Sequence, residues 1–212
     1  LSPNTRLWIA WLSIPLGYWI PVPLVRAERG GAFESWLRKS DEALRRTGVA
    51  VPRWLTNILE VAYLTCFPLV LTSLAVVWLA GSPADVARYW TAVLIAGYSC
   101  YVTLPWLVSR PPRFVEHIAA VPVPSSVNRA NVVVLARVSH HLNTFPSGHV
   151  AVSIAAAMAA GAVWPLAGAI LGVIAAGVAF GAITGRYHYI VDVALGVGIG
   201  LIASAWGSRL GA

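Results

Sequence analysis

Charge is what this sequence lacks. Only 11% of its 212 residues are Asp, Glu, Lys or Arg, where a soluble domain carries roughly a quarter. So sparse a supply excludes an ordinary soluble globule and puts most of the exterior in lipid. Acid is scarcest: beyond Glu116 the single carboxylate side chain is Asp192. Cysteine is nearly absent too. Cys66 and Cys100 both fall in apolar runs, where thiols behave as small hydrophobes, and no disulfide is expected. There is no internal repeat and no low-complexity tract. No A-x-A-like site follows the first apolar run, so no cleavable leader is expected. The start at Leu1 reads as a trimmed end.

What the chain has is hydrophobic length. Mean hydropathy is +0.72 and 58% of residues are hydrophobic. A bilayer is crossed by about 20 apolar residues. Six windows meet that need: Leu7 to Val25, Leu55 to Ala80, Val86 to Val108, His149 to Trp164, Leu166 to Thr184 and Tyr189 to Trp206. Pro15, Pro21 and Pro23 interrupt the first. The pattern predicts an all-α, multi-pass membrane protein: one domain over residues 1–212, a six-transmembrane-helix bundle with short connections. Of ten tryptophans, Trp8, Trp36, Trp54, Trp90, Trp106, Trp164 and Trp206 lie near span ends or in loops, as an interfacial aromatic belt requires.

The net charge of +7 and a pI near 10 raise the possibility of nucleic acid. The basic residues lie in membrane-flanking loops, however, where lipid head groups or a substrate phosphate explain them better. No nucleic-acid partner is expected. The segment after the first span places Phe33, Trp36, Leu37 and Leu44 at helical spacing, with Arg38, Lys39, Arg45 and Arg46 opposite. That predicts an amphipathic helix in the interface, a lipid-surface anchor. Glycines in the last three spans, including Gly168/Gly172 and Gly181/Gly185, read as close helix packing.

Three polar elements cluster at span ends. Pro146, Ser147, Gly148 and His149 open the fourth span. Pro146 keeps the preceding residue out of helical geometry, and Ser147 is a good N-cap. Free N–H groups at Gly148 and His149 then make an anion site, and Gly148 lets a bulky anion come close. His188 and Asp192, four apart, share a helix face, so the carboxylate can hold one ring nitrogen and present the other for attack. Arg110 and Arg113 bracket two prolines, and arginine forks suit phosphate oxygens. Each element has a plainer reading: an interfacial histidine, an interfacial ion pair, basic flanking of a span. Together, at one side of the membrane, they suit phosphoryl transfer without a metal. One histidine attacks phosphorus, the other protonates the leaving alkoxide, and arginines and N–H groups bear the charge. A metal site from His140, His141 and His149 is poor in carboxylates, and no cofactor or metal is expected.

These residues resemble the type 2 phosphatidic acid phosphatase (PAP2) superfamily. Pro146–His149 matches its central motif, His188 and Asp192 the core of its last motif, and Arg110–Pro111 the end of its first. The motif-bearing part runs from about residue 98 to 206. The resemblance implies that His188 is the nucleophile forming a phosphohistidine and that Asp192 orients it. It implies that His149 serves as acid for the leaving alcohol and then base for water. Ser147, Gly148 and Arg110 would hold phosphate oxygens. Two cations of the family pattern are absent, their places taken by Thr103 and Ala182; Arg113 and Arg186 are the candidate replacements. The expected activity is a metal-independent phosphatase on a phosphomonoester or pyrophosphate of a membrane lipid. The His188–Tyr189 and Pro111–Arg113 stretches also resemble sphingolipid and inositol-phospholipid synthases, so head-group transfer to an alcohol is the alternative.

A non-enzymatic lipid-binding or transport protein is a further alternative. Polar groups at midspan and broken paired helices would favour it, whereas here the ionisable groups gather at one interface. Of fifteen Lys and Arg, only Arg6, Arg88 and Arg209 fall on the side opposite the motifs. The positive-inside rule then sets the site toward the cytoplasm of a cell membrane. The oligomeric state is left open.

Overall fold

The computed structural model describes residues 3–25, 31–46, 51–115, 126–138 and 142–210. Among the described residues there are ten α-helices and no strand. They are α1 (Pro3–Trp19), α2 (Ala32–Arg46), α3 (Arg53–Leu64), α4 (Cys66–Ala80), α5 (Pro83–Tyr101), α6 (Pro112–Val115), α7 (Ser126–Val138), α8 (Gly148–Val163), α9 (Pro165–Thr184) and α10 (Ile190–Leu210), with a 3₁₀ turn at Val22–Leu24.

Helix α8 is the axis of the bundle, packed against α4, α5, α9 and α10. Its composition explains the position. Ala151, Ala155, Ala156 and Ala160 are all fully buried, and small side chains let four neighbours close in at once. On α10, Cβ atoms at Gly196 and Gly200 would sit 2.8 Å and 2.6 Å from the carbonyls of Ser147 and Ala151. Those two glycines set the α8–α10 approach. The packing role does not extend to Gly172 or Gly198, which face open space.

The apolar windows correspond to α1, α3 with α4, α5, α8, α9 and α10. Among the described residues, two helices are long and apolar enough to cross a membrane, α9 and α10, and a third if α3 and α4 form one span. That pair bends by 57°. Pro68, one turn into α4, cannot donate to the carbonyl of Leu64, and such a gap is a common cause of a kink. Helix α8 has 16 residues, about 24 Å at the α-helical rise, short of a hydrocarbon layer of about 30 Å. The sequence windows thus count six where helix length and hydropathy alone give two or three.

Trp36, Trp54, Trp106, Trp164 and Trp206 are exposed, as a belt requires; Trp90 instead is buried in the core. Cys66 and Cys100 are buried free thiols. Helix α2 is amphipathic as expected, but its buried face is Glu34, Leu37 and Asp41. That face docks on the protein beside α10, while Trp36 and Leu44 stay exposed. It is therefore a helix strapped to the bundle by acids, and not only a surface anchor.

Candidate active site

Backbone hydrogen bonds stitch the three motif segments together. The N–H of Asn143 donates to the Ser109 carbonyl at 2.8 Å, that of Arg113 to Arg186 at 3.1 Å, and that of Ser147 to Asp192 at 3.2 Å. The stretches around Arg110, His149 and His188 consequently share one end of the bundle.

His188 lies between α9 and α10, and Asp192 in the first turn of α10. The His188 Nδ1 is 2.8 Å from Asp192 Oδ2. Asp192 is fully buried and His188 nearly so. The same Oδ2 accepts a hydrogen bond from Asn143 Nδ2 at 2.8 Å. Asn143, itself buried, also donates to Ser109 Oγ at 3.2 Å. Nothing in the motif pattern singled out Asn143; it is one more polar residue just upstream of the proline. His149, the second residue of α8, faces His188 with ring centroids 6.0 Å apart. Both line a cleft of about 20 Å³ together with Arg113, Tyr63, Tyr187 and Thr144. That is room for about one water molecule.

At the start of α8, Ser147 occupies the N-cap but its hydroxyl makes no cap bond. Ser147 Oγ is buried and lacks a partner. Thr144 Oγ1 instead accepts from the Gly148 N–H at 3.4 Å. A Cβ on Gly148 would come 2.9 Å from Tyr101 Cε1, so this glycine also makes space for a ring. The two family positions without a cation are occupied structurally. Thr103 Oγ1 donates to the Phe145 carbonyl and so holds the turn before Pro146. Ala182 is buried, and its carbonyl accepts from Tyr187 and His188.

The three arginines separate. Arg113 lines the histidine cleft; its guanidinium carbon lies 4.6 Å from the Tyr187 ring centroid, and Nε and Nη1 are buried without hydrogen-bond partners. Arg110 turns to α2. Its Nη2 is 2.9 Å from Glu34 Oε1, and its backbone N–H donates to Glu34 Oε2 at 2.8 Å. Burial pushes the Glu34 carboxyl up, but the hydrogen bonds from Arg110 outweigh it and hold the group below its ordinary 4.5. Arg186 meets Asp41 at 2.7 Å, both buried, and Asp41 also accepts the Ile190 N–H at 2.9 Å. Arg186 has a φ of 58°, the left-handed region usually reserved for glycine after a helix. Such strain gathers at functional sites, and here it turns the chain from α9 toward His188.

Glu34, Asp41 and Glu60 were not foreseen as site residues. The spacing of seven between the first two, on one helix face, carried the signal, as did the isolation of Glu60 inside an apolar window. Among the described residues no group of three His, Cys, Asp or Glu could hold a metal ion. His140 and His141 lie outside the described residues.

A second cavity meets the cleft. A groove of about 550 Å³ runs between α1, α4, α5 and α8, walled by Trp11, Tyr18, Trp19, Phe67 and Tyr101, with Arg137 at its edge. Tyr18, Thr144 and His149 border both cavities.

No curated protein and no solved structure matches the chain. The family model of the PAP2 superfamily matches residues 85–211. That match covers well over half of the sequence and includes every motif joined at this end of the bundle, and the chain belongs to the PAP2 superfamily.

Proposed function

We propose that this chain is a metal-independent lipid-phosphate phosphatase, one integral membrane domain with six spans. The PAP2 superfamily acts on phosphorylated lipids as phosphatases or phosphotransferases. The observation that carries the finer reading is the pair of histidines. His188 is held by Asp192 and faces His149 across 6.0 Å, where the cleft joins an apolar groove of about 550 Å³. A volume in the range of about 300–1,000 Å³ suits a small-molecule ligand, and its apolar lining suits hydrocarbon.

In the first step His188 Nε2 attacks phosphorus and the ester P–O bond breaks. The alkoxide takes its proton from His149. The new phosphohistidine is cationic on the ring, and buried Asp192 balances that charge. In the second step water attacks phosphorus as His149 removes its proton; the P–N bond breaks and inorganic phosphate leaves. Arg113, with Ser147 and the Gly148 N–H at the α8 N-terminus, holds the phosphate oxygens. Arg110 and Arg186, paired with Glu34 and Asp41, do not line the cleft.

Purified protein given one lipid phosphate in heavy-oxygen water, without added alcohol, is expected to release phosphate carrying one solvent oxygen. The activity is expected to survive EDTA and to be inhibited by orthovanadate, which mimics five-coordinate phosphorus. If phosphate stays bound until a polyol or second lipid is added and then moves onto it, the chain is a transferase. A cysteine at exposed position 129 reports sidedness: labelling of intact cells by an impermeant reagent would overturn the cytoplasmic placement.

A further inference from the structure

Glu60 is the one acid in the window Leu55–Ala80 and is 2% exposed. Burying a carboxylate is costly unless it is well bonded, and in an apolar helix such a group defaults to function. Its oxygens accept from Tyr187 Oη at 2.7 Å, from Asn128 Nδ2 at 2.8 Å and from Asn131 Nδ2. Asn131 Nδ2 also donates to the Glu60 backbone carbonyl at 2.9 Å. A Cβ on Gly185 would lie 2.8 Å from Glu60 Oε1 and 2.2 Å from the Tyr187 ring, so only glycine there lets the carboxylate and ring meet.

Tyr187 links this carboxylate to the cleft. Its ring stacks on Tyr63 at 4.2 Å and 3° and bears the Arg113 guanidinium at 4.6 Å. A phenol that donates to a carboxylate has a more electron-rich ring, which strengthens its attraction for a cation. Tyr187 also directly precedes His188. Glu60 therefore has a path to Arg113 without touching the cleft.

Resting on the phosphatase reading above, we propose that Glu60 is a positioning residue. Through Tyr187 it fixes Arg113 against the His149–His188 cleft, and Arg113 supplies phosphate-binding charge that the chain lacks at Thr103 and Ala182.

The test is orthovanadate binding to the full-length protein in detergent by calorimetry, with KM and kcat measured beside it. Glu60→Gln and Tyr187→Phe are each expected to weaken vanadate on the order of tenfold. Both should raise KM more than they lower kcat. Neither should weaken vanadate further in an Arg113→Ala background. A role confined to helix packing would lower thermal stability and leave the affinity of the folded protein unchanged, and that result overturns the proposal. So does equal weakening with and without Arg113, or wild-type protein that binds no vanadate. If Glu60→Gln does not fold, Tyr187→Phe decides, because it keeps the ring and removes only the hydroxyl. Vanadate coupling among the three residues with no phosphate released from any lipid phosphate would sink the phosphatase reading and leave this one standing.

Discussion

Replacing Asp192 by Asn tests the proposed nucleophile most directly. In the native arrangement His188 Nδ1 and Asn143 Nδ2 meet the same carboxylate oxygen, each at 2.8 Å. Asn143 is a donor there, so an amide at position 192 keeps its carbonyl oxygen in that place. His188 then still donates from Nδ1, and its tautomer stays correct. What is lost is the negative charge beside the ring that becomes cationic when phosphorus bonds to Nε2. Two unit charges about 4 Å apart interact by about 4 kcal/mol at an effective dielectric near 20. That corresponds to about a thousandfold in kcat. Adding Asn143→Ala frees the amide to turn its NH₂ toward His188 and impose the wrong tautomer, a defect worth about ten-thousandfold in serine hydrolases. The double variant is expected to fall below Asp192→Asn alone. The assay is initial-rate phosphate release from a lipid phosphate in mixed micelles at saturating substrate, with thermal unfolding as the folding control. Asp192→Asn within tenfold of wild type would refute the reasoning.

Three other predictions follow from the site. His149→Gln should cost about 10²–10⁴ in kcat with an alkyl leaving group and much less with nitrophenyl phosphate; equal losses would remove its role as acid. Arg186→Gly relieves left-handed strain of about 1–2 kcal/mol but strands buried Asp41, so thermal unfolding in detergent should report a net loss of about 2–3 kcal/mol. Asp41→Asn in the same chain should recover most of it, and a stability gain in the single variant would show the ion pair to be unimportant. Glu34 is held below 4.5 in the folded protein, so its stabilisation of α2 docking is complete above that pH and is lost as pH falls through the lower folded value. Protease access to α2 should rise in acid, and Glu34→Gln should remove that pH step; a step unchanged by the substitution would rule Glu34 out.

The sequence made the helical class and the meeting of three motifs legible because both rest on local patterns. Apolar length marks helices, and the Pro146–His149 and His188–Asp192 spacings mark helix starts. The direction each arginine takes was not legible, because it depends on pairing across the chain. Arg110 lies at the end of a family motif, yet its partner Glu34 sits 76 residues upstream. Arg113 and Arg186 were equal candidates to replace the missing cations, and only Tyr187 and the cleft set Arg113 apart. Glu60 was visible as a lone acid, but its neighbours Asn128, Asn131 and Tyr187 come from two distant segments. Span counting parts from helix length for a different reason: α8 is short and α3–α4 is bent, so window hydropathy and helix geometry measure different things.

The family match begins at residue 85, yet Glu34, Asp41 and Glu60 all precede it. Each reaches forward to a motif segment: Glu34 to Arg110, Asp41 to Arg186, and Glu60 to Tyr187. The boundary of sequence likeness is therefore not a boundary of autonomy. A chimera joined near residue 84 would inherit both histidines and lose three carboxylates from the opposing half. Residues 85–212 of this chain could be transplanted only onto a front half that returns those acids at the same three places.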